Sequence, residues 1–264
     1  MFYLAFLFLI GTVIGSFLNV CIHRIPRGES IVYPSSHCPF CGNKLKAIDL
    51  VPLLGFLFLG GKCRYCRKQI SWRYPLVEGL TGALFVLCGL HFIASPLWLV
   101  FSLGFVSVML MLFFIDLEHM VVPDTVSVIA IFWGYAFNFI RTFYFLEKGS
   151  GFNPFLSALI GMLLAYGTLY SIGVLGQFIF KKEAMGEGDL YIGAVLGACL
   201  GWQGALSAIF LAYLLAGVTA IFLLLLRRLK FGDYMPFGPA LVSGGLLVFF
   251  YGRQLLNWYL NLYF

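Results

Sequence analysis

Long apolar runs alternate with short polar breaks along this chain. A membrane-crossing helix needs about 20 predominantly apolar residues. Eight runs reach or approach that length: 2–22, 75–94, 96–115, 123–141, 153–179, 189–203, 205–226 and 238–262. The sixth is short and rich in glycine. The one sizeable polar stretch is 23–74; the other breaks are turns or short loops. No internal repeat or low-complexity tract interrupts the pattern. It predicts an all-α polytopic membrane protein of about eight transmembrane helices with a single large loop.

Composition sharpens this picture. With 61% hydrophobic and 11% charged residues and a mean hydropathy of +0.96, a soluble domain is excluded. The run Met1–Cys21 has neither the positive lead nor the small-residue cleavage site of a signal peptide, so it reads as a retained helix. Nine of the 17 basic residues fall between Arg24 and Arg73. Lys181, Lys182, Arg227, Arg228 and Lys230 make two further clusters, and only Arg141, Lys148 and Arg253 lie elsewhere. Basic loops mark the cytoplasmic side. Threading the spans with residue 1 outside places 23–74, 116–122, 180–188 and 227–237 in the cytoplasm and 142–152 outside. That arrangement accounts for the net charge of +6 and leaves no role for nucleic acid.

The loop 23–74 is too small to build a strong core and needs a staple. It carries Cys38-Pro39-Phe40-Cys41 and Cys63-Arg64-Tyr65-Cys66. Two such C-x2-C pairs bring four thiolates into a tetrahedron around zinc. Gly42 after the first pair and Gly61 before the second suit tight ligand turns. Two disulfides, or free thiols, are the alternative, and a reducing cytoplasmic location disfavours disulfides. A closed four-thiolate site is structural. Cys21, Cys88 and Cys199 lie within apolar runs and read as packing residues.

Two aspartates carry the candidate chemistry. Asp116 ends the run Leu110–Ile115, and Asp189 closes Gly186-Glu187-Gly188-Asp189. Ionisable groups at membrane depth are costly and point to function. The threading puts both at the cytoplasmic face. Paired carboxylates can share one proton, one acting as base toward water while its protonated partner polarises a scissile carbonyl. Gly186 and Gly188 would give an extended peptide an open approach. The competing reading is a flexible loop leading into a helix that Asp189 caps. Asp124, behind Pro123, reads as a helix N-cap or first-turn carboxylate; Glu118 and His119 read as interfacial residues.

These motifs, in this order, resemble the type IV prepilin peptidases (leader peptidase/N-methyltransferases) over nearly the whole chain. Gly15-Ser16-Phe17-Leu18-Asn19-Val20 with Arg24-Ile25-Pro26-Arg27-Gly28-Glu29-Ser30 is similar to the family's opening motif. The cysteine pairs resemble its cytoplasmic zinc loop. Gly60-Gly61-Lys62-Cys63-Arg64 and Arg73-Tyr74-Pro75-Leu76-Val77-Glu78 resemble the segments around and after the second pair. Ile115-Asp116-Leu117 with Val122-Pro123-Asp124, Gly186–Asp189, and Pro236-Phe237-Gly238-Pro239 resemble the two aspartate motifs and the motif before the last helix. One position departs: the family often has lysine two residues after the second aspartate, where this chain has Tyr191.

The resemblance implies an aspartic peptidase using Asp116 and Asp189 in the bacterial cytoplasmic membrane. It would remove the basic leader of type IV prepilins or pseudopilins at the cytoplasmic face, before a residue that is usually phenylalanine. It also implies N-methylation of the new terminus from S-adenosylmethionine, with the N-terminal third as methyltransferase region and Gly61 and Glu78 as candidates there. The organisation expected is 1–74, an N-terminal helix with zinc loop, followed by a peptidase domain at 75–264. Glu118, Asp124, Glu183, Glu187 and Asp233 form an acidic surface suited to a basic leader. A proton-coupled transporter and a zinc-loop scaffold whose aspartates only cap helices are the rival readings.

Overall fold

The computed structural model describes residues 2–144, 153–181, 185–228, 230 and 235–263, with no account of the side chains of 144, 180, 260, 262 and 263. Most of the expected external loop 142–152 therefore lies outside the described residues, as do Lys148, Lys182, Glu183 and Asp233. The described elements are helical: α1 (Phe2–Arg24), α2 (Leu54–Phe58), α3 (Arg73–Phe92), α4 (Pro96–His119), α5 (Asp124–Tyr144), α6 (Pro154–Phe180), α7 (Glu187–Leu225) and α8 (Gly238–Tyr263). In hydrocarbon, helices satisfy every backbone N–H and C=O internally, so apolar runs of this length take that form.

Seven of the described helices are long and apolar enough to cross a membrane. One of them holds two of the expected spans. Helix α7 has 39 residues, about 58 Å if straight, nearly twice the roughly 30 Å of a bilayer core. It breaks at Gly201, where φ is 74° and ψ 178°, a region open essentially to glycine alone. The contacts of α8 show that the two arms lie side by side. A Cβ on Gly245 would fall 2.4 Å from Leu196 in the first arm, and one on Gly244 would fall 2.5 Å from the Ala208 carbonyl in the second. At the other end, Gly238 meets Ile192 while the Phe237 ring sits 4.8 Å from Tyr213. The arms are antiparallel, and the predicted spans 189–203 and 205–226 are the two legs of this hairpin.

The chain divides into two compact units, Met1–Met111 and Leu112–Phe264, with the boundary inside α4. In the first unit α1 and α3 run antiparallel along a stripe of small residues. Cβ atoms on Gly11 and Gly15 would lie 2.7 Å from the Cα atoms of Gly82 and Glu78. In lipid, such backbone approach is what holds helices together. Asn19 donates to the Tyr74 carbonyl at 3.1 Å across the same seam. Past α1 the chain makes a short 3-10 turn, Ile25–Arg27, ended by Gly28 at φ 68°. The buried Arg24 guanidinium then ties down the loop through the carbonyls of Ser30 (2.9 Å) and Pro34 (2.7 Å).

In the second unit α7 is the centre, packed by α5, α6 and α8. Gly161 of α6 faces Gly197 and Gly201, and Gly134 of α5 faces Ala198 and Cys199. The buried Asn138 amide donates to the Ala198 carbonyl at 3.0 Å. Cys21, Cys88 and Cys199 are buried free thiols, as packing residues should be.

Candidate active site and zinc centre

Asp116 occupies the last turn of α4 and Asp189 the first turn of α7; both are buried, at 7% and 8% exposure. They are close enough to interact electrostatically. Gly238, the first residue of α8, makes their meeting possible. Its N–H points at the Asp116 carboxylate, and a Cβ there would lie 2.5 Å from Asp116 Oδ2 and 2.9 Å from Ile192, one turn beyond Asp189. Three helix ends thus converge on the pair. Oδ2 of Asp116 is buried and has no hydrogen-bond partner among the described residues. A buried carboxylate oxygen is rarely left so, and a proton shared with a second carboxylate, or a bound water, would satisfy it. Tyr213, on the returning arm of α7, is also within electrostatic reach of Asp189.

Neither glycine of the Gly186–Asp189 turn has a positive φ. Gly188 is pressed against the chain after Asp116: its Cβ would lie 2.6 Å from Val122. Gly186 is exposed and caps α7, its N–H directed at the Asp189 carboxylate. That is the third-residue arm of a capping box, so the capping reading of Asp189 holds alongside its burial beside Asp116. Asp124 begins α5, in keeping with a first-turn carboxylate. His119 is half-buried, with Nε2 enclosed and unpartnered among the described residues.

The four loop cysteines come together. Their Sγ atoms all lie within 4.8 Å of one another, and Cys38 and Cys66 are 3.9 Å apart. Zinc–sulfur bonds of about 2.3 Å in a tetrahedron require sulfurs roughly 3.8 Å apart, so the donor set fits zinc. All four thiols are free. The two turns are built alike. Gly42 N–H donates to the Cys38 carbonyl at 2.9 Å, and Arg67 N–H to the Cys63 carbonyl at 3.0 Å. Both residues are left-handed, at φ 69° and 57°. Backbone N–H groups of Cys66 and Tyr65 hold the Cys63 thiol down at about 7. Asp49 links the halves of the loop, accepting from Arg64 Nε at 2.6 Å. Against the cost of burial, that bond and the Lys46 N–H hold Asp49 below the usual carboxylate range.

Of the remaining candidates, Glu78 is buried at 7% exposure and accepts from the Leu53 N–H at 2.8 Å and from Ser16. It fastens the loop to α1 and α3. Gly61 is left-handed, at φ 68°, and packs on the Phe56 ring, which fits its reading as a turn residue. Sequence reasoning missed the roles of Gly238, Val122, Tyr213 and Asn19. Gly238, Asn19 and Val122 lie inside family-like motifs, but nothing local in sequence marks Tyr213.

Comparison with known proteins accords with this arrangement. Residues 9–92 match the Bacterial Peptidase A24 N-terminal domain, and residues 103–221 match the Type IV leader peptidase family. A protein of Aeromonas hydrophila called prepilin leader peptidase/N-methyltransferase is 34% identical, covering 98% of this chain and 94% of its own length. Proteins of the same name from Myxococcus xanthus (40% identical, 83% and 63% covered) and Pseudomonas aeruginosa (32%, 96% and 92%) are also similar. No solved structure matches. Identity at this level over nearly the full length, in register with both halves, means that the chain belongs to the type IV leader peptidase family.

Proposed function

We propose that this multi-pass membrane protein is an aspartic peptidase that removes the leader of type IV prepilins or pseudopilins, and that it methylates the new N-terminus. The observation that carries the peptidase reading is the meeting of two buried carboxylates, Asp116 and Asp189, over the Cβ-free Gly238. One ionised carboxylate takes a proton from water as the water oxygen attacks the scissile carbonyl carbon. Its protonated partner gives a proton to the carbonyl oxygen. As the C–N bond breaks, the leaving nitrogen takes a proton from the first carboxyl group while a hydroxyl of the tetrahedral diol returns its proton to the second carboxylate, which restores the pair. The pair titrates as one unit. The reaction belongs to the cytoplasmic face of the bacterial inner membrane, where the basic-loop pattern puts both aspartates. Gly186, exposed and without a Cβ, leaves the approach to Asp189 open, and Gly188 seats that turn against Val122. In this reading 75–264 is the peptidase and 1–74 serves methylation.

Zinc, held by Cys38, Cys41, Cys63 and Cys66, staples the loop and takes no part in cleavage. S-adenosylmethionine supplies the methyl group. Near Glu78, the buried Asn19 Oδ1 is an unpartnered acceptor among the described residues. This acceptor-rich spot suits the cationic amino and sulfonium groups of that donor. Glu78 keeps the loop against it through the Leu53 N–H, and Gly61 turns the loop beside Phe56.

Mass spectrometry of a prepilin treated with the purified protein, Asp116→Asn and Asp189→Asn tests the peptidase. Both folded variants should lose cleavage by about a hundred- to ten-thousandfold. Asparagine can also serve a cap, so both variants should fold, and cleavage surviving in either would break the two-aspartate mechanism. The same spectra report the methyl group when S-adenosylmethionine is added.

A further inference from the structure

A cavity of about 470 Å³ opens between α6 and the start of α7. Its lining includes Tyr166, Tyr170, Gln177, Gly186, Glu187 and Tyr191. Tyr166 and Tyr170 are stacked, with ring centroids 6.4 Å apart and planes at 9°. Glu187 is the one charged residue among the described residues that line it. The cavity is continuous with the catalytic turn: Gly186 forms part of its wall and directs its own N–H at Asp189. Gly173, with only the Met185 Cβ close by at 3.3 Å, leaves space on the α6 side.

Aromatic faces beside a carboxylate, with no cation among the described lining residues, make a site for a positive group. Ammonium and guanidinium groups are drawn to tyrosine faces within about 6 Å of a ring, and the Glu187 carboxylate complements their charge. A peptide whose scissile carbonyl lies at Asp189 has its neighbouring side chains within a few ångströms of Gly186, since one extended residue advances about 3.5 Å. We propose that this cavity is a specificity subsite that takes one Lys or Arg side chain of the substrate's leader near the scissile bond, with Glu187 as its charge partner and Tyr166, Tyr170 and Tyr191 as its walls. The proposal rests on the peptidase reading and deepens it. Tyr191, where the family often has lysine, adds an aromatic ring rather than a cation to the described lining.

The test compares prepilins carrying Lys, Gln or Glu at each basic leader position close to the cleavage site. Cleavage by the parent and by Glu187→Lys is measured as KM and kcat at low salt. In the parent, one of these positions should raise KM about fivefold on going from Lys to Glu. Glu187→Lys should reverse that order, preferring the Glu leader, with kcat little altered between leaders. Should Glu187→Lys fail to accumulate, Tyr170→Leu, on the exposed side of α6, should narrow the parent's preference for Lys about threefold. A KM ratio between Lys and Glu leaders that is the same in parent and variant overturns the subsite while leaving the peptidase standing. Absence of cleavage of every prepilin by the parent overturns the peptidase reading and the subsite with it.

Discussion

At two glycines beside the aspartates, a single methyl group decides whether the site can form. A Cβ on Gly238 would collide with the Asp116 carboxylate at 2.5 Å, and one on Gly188 with Val122 at 2.6 Å. Overpacking of this kind costs about 1–3 kcal/mol, and here it falls on the carboxylate pair and the turn that carries Asp189. Gly238→Ala should lower kcat/KM for prepilin cleavage by about tenfold or more while the protein still folds. Full activity of the folded variant would show that the three helix ends do not meet as described. In the zinc loop the balance runs the other way. Arg67 holds the left-handed position that glycine holds at 42 in the sister turn, at a cost of about 1 kcal/mol. Arg67→Gly should therefore retain zinc against a higher chelator concentration than the parent. The spacing of the two C-x2-C pairs made that site legible, because four sulfurs so arranged have few other uses in a reducing compartment. The tight seat of Gly188 was not legible, because Val122 lies 66 residues away along the chain and only folding brings it there.

The elements themselves were readable because each apolar run must satisfy its own backbone in lipid. Their ends followed local chemistry. Asn153 caps α6, its side chain accepting from the Phe155 N–H at 2.9 Å, and Pro154 opens the helix. The α7 hairpin is the instructive element. Hydropathy divided it into two spans, and the backbone divides it as well, at the non-helical Gly201. Gly201 is the hinge: alanine there would take a backbone region nearly closed to it, and its Cβ would lie 2.5 Å from Ser157 Oγ. Gly201→Ala should lower the thermal unfolding midpoint in detergent by several degrees, as a cost of about 1–3 kcal/mol implies. Adding Ser157→Ala should recover only the steric part. A double variant as stable as the parent would mean that the backbone at 201 is not strained.

For the molecule as a whole, two tests separate the stapled loop from the aspartate site. Cys38→Ser or Cys63→Ser should expose the loop to protease, since zinc and folding of such a loop are linked. Methylation should fail before cleavage, because Asp116 and Asp189 lie outside the loop. Equal protease resistance in variant and parent would contradict the staple. The acidic residues around the site, Glu118, Asp124 and Glu187 among the described ones, should draw in a basic leader over a range of about 10 Å at 0.1 M salt. Cleavage at limiting substrate should then slow as salt rises, and an unchanged rate would remove steering from the account.

What the sequence by itself determined is everything that rests on local physics: the helical spans, the basic loops, the four-cysteine cluster and the two candidate aspartates. These follow from residue type and spacing along a short stretch of chain. Only the tertiary structure decided that the bend between the two arms of α7 rests on Gly201, that Gly188 and Gly238 leave room for Val122 and Asp116, and that Tyr166 and Tyr170 share a cavity with Glu187. Those facts depend on contacts between residues far apart in the chain. Their geometry is set by how helices approach one another where small residues allow it, and no periodicity along the sequence encodes that distance.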